Sequence, residues 1–241
     1  MLKMELDLNL ANKFAKCANL AYQDQEALKG FKELGYTHHI FLEHDEAQCH
    51  VVWNKEEAVI AFRGTEPDQI TDILADLKAW PKKSMTDGWV HAGFRGELDK
   101  LWDQVKLLAE DHADKRLYIC GHSLGAAMAT ICTSRVEEFR TVDGLYTFGS
   151  PRAGTRSFVK GIRTQHWRFV NNNDVVTRVP LALMGYKHHG KMVYINHYGK
   201  IRKMTPWQRM KDKWRGWRTG LLDGVQDHGM PNYVNYTIKE D

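Results

Sequence analysis

The sequence predicts an α/β protein in which a mostly parallel sheet is covered by helices on both faces. The first observation is that short β-rich apolar segments alternate with segments of helical periodicity along most of the chain. The second is the composition, because 241 residues with 43% hydrophobic and 27% charged side chains can bury a sizeable core without disulfides or metals. No repeat or Pro/Gly-rich linker divides the chain, so residues 1–241 are expected to form a single domain.

The individual elements follow from local pattern. An amphipathic N-terminal helix is predicted from the spacing of Leu10, Phe14, Cys17 and Ala21. Strands are predicted at Cys49–Trp53, Ala58–Phe62, Arg116–Cys120, Gly144–Phe148, His166–Val170 and Met192–Asn196. Further helices are predicted at Gly93–Ala109, Ser123–Val136 and Gly154–Ile162. The first two strands are joined by a polar turn, which indicates a hairpin.

Composition excludes several classes of protein. No segment approaches the roughly 18 uncharged apolar residues of a membrane span. The N-terminal segment lacks the apolar block and cleavage site of a secretory signal peptide, which leads us to expect a cytoplasmic or non-classically secreted protein. Cys17, Cys49, Cys120 and Cys132 are scattered with no C-x-x-C pair, so we expect four free, mostly buried thiols and no metal site.

The net charge of +4 is concentrated near the C-terminus. Residues 1–199 hold 25 basic and 25 acidic side chains, whereas residues 200–241 hold nine basic and five acidic ones. Within 200–218 there are eight basic residues against the single acid Asp212. The chain therefore lacks the global footprint of a nucleic-acid binder but carries one local basic segment.

A nucleophilic serine is predicted at Ser123. It lies in Gly121-His122-Ser123-Leu124-Gly125, a G-x-S-x-G motif between a predicted strand and a predicted helix. A serine on a strained strand-to-helix turn needs neighbours without side chains, so that its hydroxyl stays exposed. The N-terminus of the following helix directs partial positive charge to the place where an oxyanion would form.

Such a serine needs a histidine base and an acid that orients it. With this elbow the chain order is serine, then acid, then histidine. The histidines after Ser123 are His166, His188, His189, His197 and His228, and the acids considered are Asp143, Asp174, Asp223 and Asp227. Asp174 follows a predicted strand, and His228 lies in a loop with Gly and Pro near the C-terminus, so this pair is favoured while the others stay open.

Five short sequence motifs in a fixed order, and a sixth near the C-terminus, are spread over most of the chain. They are Phe62-Arg63-Gly64-Thr65, His91-Ala92-Gly93-Phe94, residues 121–127, Phe148-Gly149-Ser150-Pro151-Arg152, Asn172–Val176 running on to Val179-Pro180, and Asp227-His228 followed by Tyr233. Together they cover roughly residues 10–236, and they resemble the class 3 lipase family, which contains the filamentous-fungal triacylglycerol lipases. The resemblance implies an α/β-hydrolase fold with a mostly parallel central sheet, helices on both faces and a helical lid.

The same resemblance implies roles for single residues. Ser123 would be the nucleophile, Asp174 the orienting acid and His228 the base. Thr65 would supply one oxyanion donor, and the backbone N–H of Leu124 the other. His189 is similar to a family histidine that precedes a strand and is not the base, while His91 and His122 are expected to organise hydrogen bonds beside the site. No cofactor or metal is implied.

Two amphipathic segments remain. Glu66–Trp80 has apolar residues at helical spacing just after Thr65, which predicts either a mobile lid or an ordinary surface helix. Pro206–Leu222 combines tryptophans at helical spacing with a basic rim. This pattern fits a transient contact with a membrane or lipid-droplet surface, although the same stripe could simply pack on the sheet.

The leading interpretation is a serine carboxylic-ester hydrolase that acts on lipid esters, most simply a lipase for acylglycerols. Phospholipase A1 and a short-chain or feruloyl-type esterase are the nearest alternatives, since the shape of the acyl pocket decides among them. A catalytically silent lipid-binding or interaction protein has no need of a complete serine, acid and histidine set. A nucleic-acid binder based on residues 200–218 would leave the G-x-S-x-G motif unexplained.

Overall fold

The computed structural model of the protein describes residues 5–65, 80–217 and 226–238. Its strands are β1 (His38–His44), β2 (Ala47–Trp53), β3 (Glu57–Phe62), β4 (Pro81–Lys83), β5 (Trp89–His91), β6 (Arg116–His122), β7 (Gly144–Phe148), β8 (Gly154–Thr155), β9 (His166–Asn171), β10 (Tyr186–Lys187) and β11 (Lys191–Ile195). Its α-helices are α1 (Leu8–Leu20), α2 (Leu28–Glu33), α3 (Ala92–Asp111), α4 (Leu124–Val136), α5 (Arg156–Gly161), α6 (Pro206–Trp217) and α7 (Met230–Tyr236).

The central sheet has the strand order β1-β2-β3-β6-β7-β9-β11. Strands β1, β2 and β3 are antiparallel, and β2 and β3 form the predicted hairpin with Cys49 opposite Phe62. From β3 onward every strand is parallel to its neighbour. The carboxyl ends of β6, β7 and β9 therefore meet at one edge of the sheet, where α/β proteins place their ligands.

Two apolar clusters cover the two faces of this sheet. Strand β3 shows the alternation directly, because Ala58, Ile60 and Phe62 belong to one cluster and Val59 and Ala61 to the other. The first cluster includes the apolar sides of α3 and α4, and the second includes those of α1 and α7. The predicted two-faced covering is thus observed, and the burial predicted for the four unpaired cysteines is confirmed.

A small second sheet was not anticipated by the sequence. It is antiparallel with the order β10-β8-β5-β4, and its strands are only two or three residues long. Segments so short carry no recognisable alternation. The helix predicted at Gly154–Ile162 is therefore too long. Gly154 and Thr155 belong to β8, and the helix covers only Arg156–Gly161. Strand β1 was also missed, since it fully buries only Leu42.

Two further predictions concern segments at the limits of the described residues. The lid proposed for Glu66–Trp80 lies outside them apart from Trp80, and only 206–217 of the segment Pro206–Leu222 forms a described helix. None of the helices within the described ranges has both the length and the apolar character needed to cross a membrane.

Candidate active site

Ser123 is the single residue between the end of β6 and the start of α4. Its backbone has φ 55° and ψ −126°, a conformation that is strained for any residue with a side chain. The N–H of Ser123 donates to the carbonyl oxygen of Phe148 at 3.1 Å, which holds the turn against the end of β7. The predicted strand-turn-helix elbow is present, and it presents this serine at the ligand-binding edge of the sheet.

The two glycines of the motif are explained by close backbone contacts. A Cβ atom on Gly121 would lie 2.5 Å from the carbonyl oxygen of Gly125. A Cβ atom on Gly125 would lie 2.4 Å from the carbonyl oxygen of Phe62 at the end of β3. Any side chain at either position would force the turn away from the sheet, so the G-x-S-x-G spacing follows from packing.

Asp174 and His228 are brought together although 54 positions separate them along the chain. The Nδ1–H of His228 donates to Oδ2 of Asp174 at 2.9 Å, and both side chains are completely buried. His228 is close to the elbow, because its ring stacks on that of His122, with 4.4 Å between the ring centroids. Within the described part of the chain its Nε2 has no hydrogen-bond partner, so this nitrogen is available to accept a proton.

The carboxylate of Asp174 is kept ionised by its surroundings. Its Oδ2 also accepts a hydrogen bond from the hydroxyl of Tyr233 at 2.5 Å, and its Oδ1 accepts one from the N–H of Val176 at 2.9 Å. Burial by itself would raise the pKa of Asp174, but the electrostatic interaction and hydrogen bond with His228 and the hydrogen bond from the Tyr233 hydroxyl outweigh it, so the pKa lies below its usual value. An ionised acid is what stabilises a histidine that gains a proton during a reaction.

Of the other candidates for acid and base, Asp223 lies outside the described residues, and several of the rest are engaged elsewhere. Asp227 accepts a hydrogen bond from the N–H of Asn173 at 2.9 Å, and thus fastens the loop before Asp174. His166 and His189 contact each other through their Nδ1 atoms at 3.1 Å in a separate cluster. The N–H of His197 donates to Asp212 at 2.9 Å. Among the candidates within the described residues, only Asp174 and His228 form a buried acid–histidine pair beside Ser123.

Thr65 and Leu124 lie on either side of the serine. A Cβ atom on Gly64 would lie 2.5 Å from the carbonyl oxygen of His122 and 3.1 Å from Cβ of Ser123, so the loop that leaves β3 runs directly beside the elbow. Thr65 is the next residue of that loop. Leu124 begins α4, so its N–H is one of those that a helix leaves without an intrahelical acceptor. Both positions suit donors to an oxyanion.

A profile of the lipase (class 3) family matches residues 59–184, which include Ser123, Asp174 and Thr65. The chain belongs to the class 3 lipase family. Over 78% of its length it is 31% identical to toxin TseL of Vibrio cholerae, covering 43% of that protein. It is also 29% identical to the secreted mono- and diacylglycerol lipase LIP1 of Malassezia globosa, with 56% of this chain and 51% of that protein covered. The chain thus spans about half the length of the curated relatives it matches.

The fold of this class 3 lipase family member is shared with solved structures. A crystal structure of MDLA from Penicillium cyclopium superimposes with a TM-score of 0.72 at 21% identity, and the match covers 93% of this chain and 96% of that one. The predicted α/β-hydrolase fold, with its mostly parallel sheet, is thereby confirmed.

Two interactions in this lipase-family site involve partners that the sequence did not predict, although His122 itself was expected to organise hydrogen bonds beside the site. Tyr22 and His122 form the first, because the hydroxyl of Tyr22 donates to Nδ1 of His122 at 2.7 Å and the Nε2–H of His122 donates to the carbonyl oxygen of His228 at 2.7 Å. Burial, followed by the neighbouring charge of His228, lowers the pKa of His122 to about 3, so this ring stays neutral. His122 therefore holds the loop of His228 in place, which agrees with the expectation that this histidine of the G-x-S-x-G motif organises hydrogen bonds beside the site.

Tyr233 makes the second interaction. Its hydroxyl accepts a hydrogen bond from the N–H of Asn171 at 3.1 Å while donating to Asp174. Burial raises the pKa of Tyr233 well above its usual value, so the hydroxyl keeps its proton and remains a donor. The sequence contained one indication of this contact, namely a tyrosine five residues after His228. Tyr233 lies on α7, and its buried ring faces the sheet.

Replacement Tyr233→Phe tests this second interaction. We expect kcat to fall about tenfold or somewhat more, because a hydrogen bond to a charged group contributes about 1.5–3 kcal/mol. KM for a soluble ester should stay within about twofold, since Tyr233 is completely buried. A matched control is Tyr36→Phe, which removes a buried hydroxyl that donates to Glu57 instead. An unchanged kcat in Tyr233→Phe would show that Asp174 needs no second donor.

Proposed function

We propose that this chain hydrolyses carboxylic esters of acylglycerols through an acyl-serine intermediate on Ser123. The observation that carries the proposal is the buried hydrogen bond between Asp174 and Nδ1 of His228 beside a strained, strand-to-helix serine. A protein that only binds lipid has no use for this arrangement. The names of the relatives, a secreted mono- and diacylglycerol lipase among them, support an acylglycerol as the substrate class.

The positions of the groups support the following chemistry. Nε2 of His228 takes the proton of the Ser123 hydroxyl as its oxygen attacks the ester carbonyl. The negative charge that develops on the carbonyl oxygen is stabilised by the N–H of Leu124 and by Thr65. His228 then gives the proton to the leaving alcohol, and water repeats the sequence to release the fatty acid. None of these steps requires a metal or an organic cofactor.

A panel of substrates tests the proposal. It contains soluble esters of rising chain length, mono-, di- and triacylglycerol emulsions, and a phospholipid, with Ser123→Ala as the blank. Release of fatty acid from acylglycerols by the wild-type chain, absent in the blank, is the expected result. Faster cleavage of the phospholipid would indicate a phospholipase A1, and cleavage of short-chain or feruloyl esters alone would indicate an esterase. No hydrolysis of any ester would favour a silent lipid-binding protein.

We further propose that helix α6 helps to hold the site against an anionic lipid surface. Trp207 and Met210 of this helix are 60% and 53% exposed, and Nζ of Lys211 lies 5.3 Å from the ring centroid of Trp207. This exposure argues against the alternative that these two residues pack on the sheet. The helix is anchored on its other side by the buried Asp212, which accepts hydrogen bonds from the hydroxyl of Tyr194 at 3.0 Å and the N–H of His197 at 2.9 Å.

A second exposed apolar segment suits the same kind of lipid contact. Leu183 is 98% exposed in the segment that follows Asp174, and the neighbouring Leu181 and Met184 are exposed as well. Transfer of an exposed leucine from water into acyl chains is favourable, and apolar residues with a basic rim are typical of interfacial segments. The excess positive charge of residues 200–241 would favour anionic headgroups.

Charge reversal in α6 tests this membrane contact. Changing Lys211, Lys213 and Arg215 to glutamate should weaken adsorption to anionic vesicles by at least about 100-fold, because each basic residue near such a surface contributes about 1 kcal/mol. High salt should reproduce the effect by screening. The readout is the ratio of vesicle activity to soluble-ester activity. The matched control reverses Lys29, Lys32 and Lys55, exposed lysines outside this segment. A ratio that falls equally in both triple variants would contradict a specific role for α6.

A further inference from the structure

Arg168 is a buried arginine whose charge is not paired. It lies in β9, where its cross-strand neighbour in β11 is Met192. The residue is only 7% exposed, and its Nε is completely buried without a hydrogen-bond partner. Its two Nη atoms are not among the completely buried polar groups that lack a partner, and no ion pair to Arg168 is found within residues 5–65, 80–217 and 226–238. A largely buried cation without an acidic partner is unfavourable, and a small anion beside it would offset that cost.

A small cavity lies beside this guanidinium. Its volume is about 10 Å³, and besides Arg168 its polar lining consists of Thr130, Ser150, His166, Lys187, His188 and His189. A cavity of this size accommodates one occupant as large as a water molecule or a chloride ion. Phosphate, sulfate and carboxylates are too large for it.

The polar groups around the cavity cannot neutralise Arg168. The hydroxyl of Thr130 donates to the carbonyl oxygen of Ala126 at 2.8 Å, and that of Ser150 donates to the carbonyl oxygen of Pro151 at 2.9 Å. None of the lining residues is an acid. Glu137 influences His189 electrostatically, but its carboxylate already accepts hydrogen bonds from the backbone N–H groups of Arg163 and Thr164.

The neighbouring charges make the cavity more positive rather than less. Burial, and next the charge of Arg152, lower the pKa of Arg168 to about 10, so Arg168 remains a cation at neutral pH. Lys187 adds a further positive charge at the exposed side of the cavity. His166 and His188 are neutral there, since burial lowers the pKa of His188 to about 3 and that of His166 well below its usual value.

We propose that this cavity is a binding site for a small monatomic anion, with chloride as the physiological ligand. The anion would contact the guanidinium of Arg168 and complete the charge balance of the buried strand. Chloride is favoured over water because a water molecule satisfies hydrogen bonds but leaves the positive charge unpaired. The site is separate from Ser123 and does not depend on the proposed hydrolytic function.

Chloride-dependent stability of the wild-type chain is the first test. Thermal unfolding is followed at pH 7.5 in sodium chloride and in sodium gluconate of equal ionic strength, because gluconate is too large to enter the cavity. Ligand binding to the folded state raises Tm, and a tenfold excess of chloride over its Kd should raise it by roughly 3–6 °C relative to gluconate. Crystals soaked in bromide should show an anomalous peak beside Arg168. Equal Tm values in both salts and no bromide peak would mean that only water fills the cavity, and would overturn the proposal.

Two variants separate the site from general salt effects. Arg168→Met removes the cation while keeping an unbranched side chain, and its Tm should no longer distinguish chloride from gluconate. The matched control is Arg135→Met, since Arg135 is equally buried but has its charge paired by Asp99. This control should be less stable and should keep the full chloride effect. If the Tm of Arg168→Met still differs between chloride and gluconate, chloride binds elsewhere and the proposal is wrong. If either variant fails to fold, the Tm and bromide measurements on the wild-type chain still decide the question.

Discussion

Replacing Ser123 or His228 by alanine is expected to lower kcat by about 10⁶-fold, because the two residues act as one unit in the attack on the ester. The double variant should be no slower than either single variant. Without Ser123 the base has no hydroxyl to activate, and without His228 the serine has no base, so the second replacement removes nothing further. A small residual rate over the uncatalysed reaction should persist from the oxyanion donors at Thr65 and Leu124. Initial rates on a soluble short-chain ester give this measurement without interference from lipid adsorption.

Asp174→Asn extends the same prediction to the orienting acid. The amide cannot accept the Nδ1–H of His228 as a carboxylate does, nor stabilise the charged ring, so kcat should fall about 10⁴-fold. Asp227→Asn is the matched control, because Asp227 is the residue next to His228 and accepts a backbone hydrogen bond from Asn173. It should lose far less activity. Similar losses in the two variants would show that the assignment of Asp174 as the acid is wrong.

Steep acid unfolding is the second large effect that we expect. His50, His91, His122 and His166 are buried, and burial is the main cause that lowers their pKa values, to about 3 for His50 and His122, about 4 for His91 and well below the usual value for His166. In the unfolded chain they take up protons near pH 6.5. The stability that they contribute is therefore fully present above about pH 6.5 and is lost as the pH falls below it.

The size of the effect follows from the number of groups. Each histidine that is neutral only in the folded chain costs up to about 1.4 kcal/mol of unfolding free energy per pH unit below about 6.5. Four of them together remove up to about 5.6 kcal/mol per pH unit, against a total stability of about 5–15 kcal/mol for a typical domain. Unfolding by denaturant between pH 7.5 and 5 should show this slope, with spontaneous unfolding between about pH 4 and 5.5.

Single histidine variants check the origin of the slope. His50→Gln should make the pH dependence shallower by about one proton, whereas the exposed His44→Gln should leave it unchanged. His50 suits this test because it lies on β2 among Phe31 and Phe41, outside the group of residues around Ser123. Stability that stays constant down to about pH 5 would mean that these rings are already protonated in the folded chain.

Local sequence pattern by itself determined the alternation of strands and helices and the elbow at Ser123. Both depend on interactions between residues close in sequence: apolar periodicity specifies which face of an element is buried, and the glycines at 121 and 125 allow one tight turn. The same pattern left several acids and histidines open as partners of Ser123. The match to family blocks, and not periodicity, narrowed them to Asp174 and His228, whose catalytic roles remain predictions.

Tertiary structure alone decided which groups meet. The contacts from His228 to Asp174, from Tyr233 to Asp174 and from Tyr22 to His122 each join residues more than 50 positions apart, so no local pattern contains them. The short strands of the second sheet depend likewise on pairing with distant partners. The unpaired charge of Arg168 became visible only when β11 set Met192 beside it, because a sequence reports that an arginine is present but not whether an acid faces it.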